Sequence, residues 1–118
     1  MLNQSPSLDL TFQALADPTR RAMVERLGRS PASVSELAKP FQMSLPAVLQ
    51  HLALLESAGL VVSEKIGRVR TCRIEPQALS PAEQWIMARR AEWEQRLDRL
   101  GDYLEELKQQ GGNDGRDP

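Results

Sequence analysis

The chain has 118 residues, 41% hydrophobic and 26% charged, which is one domain's worth with a modest core and not the composition of a disordered chain. No apolar run approaches the roughly 20 residues that cross a bilayer, and the opening MLNQSPSLDL lacks the basic and apolar regions of a signal peptide. A single cysteine, Cys72, excludes an internal disulfide and fits a reducing compartment, so the expected location is the cytoplasm.

Residues 1–7 are expected to be a flexible N-terminus. From Leu8, the series Leu8, Phe12, Leu15 has the spacing of a short amphipathic helix. Asp17-Pro18 punctuates it: aspartate caps the next helix and proline takes its first position. That helix runs from Thr19 to about Gly28. It buries Ala22, Met23 and Leu27, shows Arg20, Arg21, Glu25 and Arg26 outside, and is ended by Gly28 and Ser30-Pro31.

The stretch from Ser33 to Gly59 is predicted to form two short helices joined by a tight turn. Ser33 and Glu36 make a capping box for the first, and Pro40 ends it, because proline removes a helical hydrogen bond. Ser44 caps the second, with Pro46 in its first turn. Val48, Leu52 and Leu55 form its buried stripe, Gln50 and His51 fall off that stripe, and Gly59 supplies a left-handed stop. A helix presented in this way is the shape that enters a DNA major groove.

After Gly59 the period shortens. Residues 60–66 and 69–74 are predicted as two strands around a Gly67-Arg68 turn. Lys65, Arg68, Arg70 and Arg73 make this hairpin a basic wing able to reach phosphates. Ser80-Pro81-x-Glu83 is a second capping box, opening a helix expected to run over 80–110. On it Ile86, Trp93, Leu97, Leu100, Leu104 and Leu107 alternate in steps of three and four, with Arg90 as one interruption. That is a heptad seam, and it wants a partner helix. Its acids form a solvated face with pairs such as Glu92 and Arg96. Residues 111–118 are expected to be a disordered tail.

Charge divides along the chain. Residues 17–75 carry nine Lys and Arg against six Asp and Glu, whereas residues 76–118 carry six against nine. A basic half followed by an acidic half suits a DNA reader with a separate association element.

The order of elements, with Ala14-Leu15-Ala16-Asp17-Pro18-Thr19-Arg20-Arg21, Val34-Ser35-Glu36-Leu37-Ala38, Ser44-Leu45-Pro46-Ala47-Val48, His51-Leu52 and Leu55-Glu56-Ser57-Ala58-Gly59-Leu60-Val61, resembles the ArsR-type winged helix-turn-helix transcriptional repressors. The likeness spans roughly residues 10–110. It implies a mainly α fold with a small β-hairpin, in the order α-α-α-α-β-β-α, and residues 8–110 as the winged domain. It further implies a homodimer joined by the first and last helices, which represses, and autoregulates, by covering a palindromic operator. Ser44, Pro46, Ala47, Gln50 and His51 would lie at double-stranded DNA with Arg68 and Arg70 in the wing, where Lys65 adds a third cation near the turn. The dimer interface would draw on Leu8, Phe12, Leu15, Ile86, Trp93, Leu97, Leu100 and Leu104.

This chain departs from the family's pattern at Leu49, where a small polar residue is usual, and at Ala53, often a basic one. Leu45 and Leu49 offer instead apolar contact to thymine methyls. The Cys-x-Cys pair of the metal-sensing members falls here on Ala38 and Pro40, and the last helix has no histidine. One cysteine cannot build a thiolate site, so no metal and no cofactor are expected. The effector, a small molecule or a redox change at Cys72, is left open. Two other function classes stand beside the repressor. One is a protein-interaction module, with a degraded DNA face and the long helix docking a partner. The other is an enzyme, for which no nucleophile–base pair or glycine-rich phosphate loop is present.

Overall fold

The computed structural model describes residues 6–115, so expectations for residues 1–5 and 116–118 lie outside it. The first helix, α1 (Pro6–Leu15), begins earlier than expected, with Pro6 and Ser7 inside it. Proline suits the first helical position, and the Thr11 hydroxyl donates to the Ser7 carbonyl at 2.9 Å. The face that α1 buries is also different. Thr11 and Ala14 are buried, Leu10 and Leu15 pack against the core, and Phe12 is left 38% exposed. Small side chains let a helix approach its neighbour closely, and the threonine's hydroxyl has a backbone partner, so it can be buried.

Capping sets the next starts. Asp17 is extended and its carboxylate accepts the Arg20 N–H at 3.0 Å, opening α2 (Pro18–Arg29). Gly28 does not end this helix but lies inside it; the chain leaves at extended Ser30, whose carbonyl accepts from Arg26 at 3.0 Å. A two-residue strand, β1 (Ala32–Ser33), follows, and the sequence had given no sign of it. The capping box at Ser33 is complete in both directions, at 2.9 and 3.1 Å, and starts α3 (Val34–Ala38). A 3₁₀ turn, Lys39–Phe41, and left-handed Gln42 (φ 52°) bring the chain round to Ser44, the cap of α4 (Leu45–Ser57). Gly59 (φ 78°) and Gly67 (φ 65°) take the positive φ expected of them.

Strands β2 (Val61–Ile66) and β3 (Val69–Ile74) form the hairpin, and β1 pairs with the far edge of β3 to give an antiparallel sheet in the order β1-β3-β2. Ala32 lies opposite Cys72 and Ser63 pairs with Cys72 from the other side. The third strand covers an edge that an isolated hairpin would leave open. The core between helices and sheet holds Met23, Leu27, Leu37, Val48, Leu52, Leu55, Leu60, Val61 and Cys72.

A 3₁₀ turn, Pro76–Leu79, leads into α5 (Ser80–Gly115). Ser80 is therefore not the extended cap that its sequence suggested: its backbone is already helical (φ −58°, ψ −45°) and its N–H bonds to the Gln77 carbonyl. α5 also runs past the expected stop at residue 110, through Gly115. Glycines in a helix cost about 1 kcal/mol each but keep the N–H that proline lacks, so the ladder can continue through Gly111 and Gly112. The chain divides into two compact units, Met1–Glu83 and Gln84–Pro118. The first holds the core. In the second, the heptad series Ile86, Trp93, Leu97, Leu100, Leu104 and Leu107 is 43–65% exposed along its whole length. Among the described residues, no helix is long and apolar enough to cross a membrane.

Candidate nucleic-acid interface

α4 is held by three buried residues, Val48, Leu52 and Leu55, which fix its rotation about its own axis. That rotation turns Leu45, Pro46, Leu49 and Gln50 outward and leaves Ala47 and His51 half-buried. Ser44 is exposed, but its hydroxyl oxygen accepts the Ala47 N–H at 3.3 Å and so serves the helix start. Gln50 is thus the exposed amide on the presented half of the helix, beside Leu45 and Leu49, which are 49% and 42% exposed.

His51 lies deeper than a free contact residue would. Its Nδ1 is 3.2 Å from the Arg20 guanidinium, which also donates to the Ala14 carbonyl at 2.8 Å and the Gln13 carbonyl at 3.1 Å. Arginine can only donate, so Nδ1 accepts and the ring keeps its proton on Nε2. Arg20 and Arg21, expected on the outer face of α2, close the C-terminal end of α1, Arg21 donating to the Leu15 carbonyl at 2.8 Å. Cations there satisfy orphan carbonyls and oppose the helix dipole. Asp17 stands in the same corner, and the Arg20 backbone N–H holds its carboxyl below the ordinary 3.8.

The hairpin stands beside α4. Lys65 lies directly opposite Arg70 in the β2–β3 register, and like charges placed so repel unless an anion sits near them. Arg70 is partly neutralised: its guanidinium reaches Glu56 of α4 at 3.3 Å and donates to the Ser63 hydroxyl, which in turn donates to Glu56. Lys65 and Arg68 are exposed and have no such partner among the described residues. Ser33, Val34, Ser35, Leu45, Leu49, Lys65, Arg68, Val69 and Arg70 line a cleft of about 420 Å³ between the start of α3, the presented face of α4 and the wing. The Glu56–Ser63–Arg70 link was missed from the sequence, since its members lie on three elements and carry no local spacing signal. Among the described residues no group of three or more His, Cys, Asp and Glu is placed to hold a metal ion.

Residues 15–64, which contain both motif helices, match the model of a helix-turn-helix domain family. A crystal structure of an ArsR family transcriptional regulator superposes with a TM-score of 0.73 and 50% identity, covering 79% of this chain and 97% of that one. The chain belongs to the ArsR family. A second ArsR-like regulator, from Rhodococcus sp. RHA1, has the same TM-score at 34% identity, over 82% and 92% of the two chains. The HTH-type transcriptional regulator Rv2034 of Mycobacterium tuberculosis is 47% identical over 74 residues, 63% of this chain and 69% of its own length. Like these ArsR relatives, the protein is a DNA-binding transcriptional regulator. The winged helix-turn-helix expected from the sequence is the fold found, with β1 added to it.

Proposed function

We propose that two copies of this chain bind a palindromic operator in the cytoplasm and repress the promoter that contains it, including the chain's own. The observation that carries the reading is the pairing, within one unit, of an outward-turned α4 with a wing whose Lys65 and Arg68 are exposed and have no ion-pair partner among the described residues. Ser44, Pro46, Ala47, Gln50 and His51 take the groove side, His51 donating through Nε2 while Arg20 fixes its ring. Lys65 and Arg68 take phosphates, and Arg70 chiefly braces the wing against Glu56. The uncovered heptad series of α5 supports a homodimer, built on Ile86, Trp93, Leu97, Leu100 and Leu104 together with Leu8 and Phe12 of α1. Leu15, half-buried where it packs against the core, adds its remaining surface to that interface.

Footprinting of the DNA upstream of the gene, at two salt concentrations, tests the proposal. The expected result is one protected palindrome with half-sites about 34 Å apart, whose affinity falls with a log–log salt slope of about −0.9 per phosphate contacted. Protection no stronger than that of random duplex would overturn it. So would a monomer in sedimentation at concentrations where specific binding saturates.

A further inference from the structure

We infer that Leu45 and Leu49 are specificity-determining residues that read the 5-methyl groups of thymines in the operator. The inference rests on the proposed DNA-binding face and names what that face selects. On the presented half of α4, two of the outward side chains are leucines one helical turn apart, half-exposed and free of any covering element. Neither has a donor or acceptor, and Ser44 is engaged by the Ala47 N–H, so hydrogen-bond readout from this surface falls mainly to Gln50.

In the major groove of B-DNA, thymine is the base that offers an apolar group, its 5-methyl, while adenine offers the paired donor and acceptor that a glutamine amide matches. The leucines therefore have one complementary base edge available to them, and Gln50, next to Leu49, has another. Lys65 and Arg68 on the rim of the same cleft carry charge that suits the phosphates flanking such a step. A polar base edge against Leu45 or Leu49 would lose its water and gain no partner, so the same leucines also disfavour guanine and cytosine at those positions. The operator half-site is accordingly thymine-rich where α4 starts, with adenine adjacent.

The test uses a duplex that the protein selects from a randomised pool, and the same duplex with deoxyuridine in place of thymidine at single positions. Deoxyuridine keeps every hydrogen-bonding group and deletes only the methyl. Wild-type affinity should fall about fourfold for each buried methyl removed, the value that corresponds to the burial of one methyl-sized group, and about fifteenfold when one is removed from each half-site. Leu49→Ala should bind thymidine and deoxyuridine duplexes alike at its own position while still responding at the one facing Leu45, and Leu45→Ala the reverse. Both residues are exposed, so unchanged thermal midpoints keep folding out of the comparison.

A selected half-site without thymine, or wild-type affinity indifferent to every methyl deletion, overturns the inference while specific binding leaves the DNA-binding reading standing. Displacement of DNA by decanoate that depends on Leu49, with no methyl dependence, overturns it in favour of a small amphipathic anion in the cleft. Absence of any selected sequence overturns both readings together.

Discussion

Asp17 illustrates how one side chain fixes both a helix and the corner beside the recognition helix. Its carboxylate accepts the Arg20 N–H, and Arg20 in turn reaches the end of α1 and His51. Replacing Asp17 with alanine is expected to lower stability, as loss of an N-cap does, measurable by urea unfolding. The same bond gives a pH dependence. The Arg20 backbone N–H lowers the folded-state pKa of Asp17 below 3.8, and Ser33 lowers that of Glu36 below 4.5. Both contributions are therefore complete above those values and are lost as pH falls below them through the lower folded-state pKa. Asp17→Asn keeps a capping oxygen without a titrating group, so its thermal midpoint should fall less than wild type between pH 6 and about pH 3. Cys72 presents the opposite case. Burial, and then the Glu56 charge, push its thiol above 9.0, and it is fully covered between β1 and β2. Its reaction with a thiol reagent should follow the opening of the sheet, slow at neutral pH and immediate in denaturant. Rapid labelling of native protein would revive a redox role for it.

Among the elements, the wing divides its cations by task. Arg70 is tied to Glu56 and Ser63, which links β2 and β3 to the end of α4, while Arg68 is exposed and has no such partner among the described residues. Arg68→Ala is expected to lower the salt slope of DNA binding by about one phosphate equivalent without changing stability. Glu56→Ala should leave that slope unchanged or steeper, since it frees Arg70, but should raise hydrogen exchange in residues 63–70 by loosening the hairpin. Equal slopes for wild type and Arg68→Ala would remove Arg68 from the phosphate contacts. This division was not legible beforehand. Caps and apolar periods are local signals, and they placed α2, α3, α4 and the hairpin turn from Asp17, Ser33, Ser44 and Gly67. Glu56 and Arg70 meet across 14 residues and Arg20 and His51 across 31, distances at which sequence spacing carries no geometric information. β1 escaped for another reason: two residues have no period. In α1 the apolar spacing picks out Leu8, Phe12 and Leu15, whereas close packing buries Thr11 and Ala14 and leaves Phe12 at the surface.

At the scale of the whole molecule, α5 carries an open apolar seam. Six large apolar side chains, Ile86 to Leu107, repeat in a heptad pattern and stay 43–65% exposed. Charged residues elsewhere on that helix carry their own pairs, Arg89 and Arg96 both reaching Glu92. A stripe of this kind is stable in water only when a second stripe covers it, and the proposed homodimer supplies an identical one. Leu97→Glu or Leu100→Glu would then place two like charges face to face in a desolvated seam, where neither has a partner. In a monomer the same glutamate would sit in water at little cost. The expected outcome is conversion from dimer to monomer in sedimentation, with operator affinity reduced about a hundredfold or more as two linked half-site contacts become one. Gln95→Glu adds the same charge off the seam and should change neither. The unit up to Glu83 has its own core, so the monomeric variants should retain their cooperative unfolding and a weak, non-cooperative affinity for single half-sites. A Leu97→Glu protein that remained dimeric and bound the operator as wild type does would place the twofold contact somewhere other than this helix.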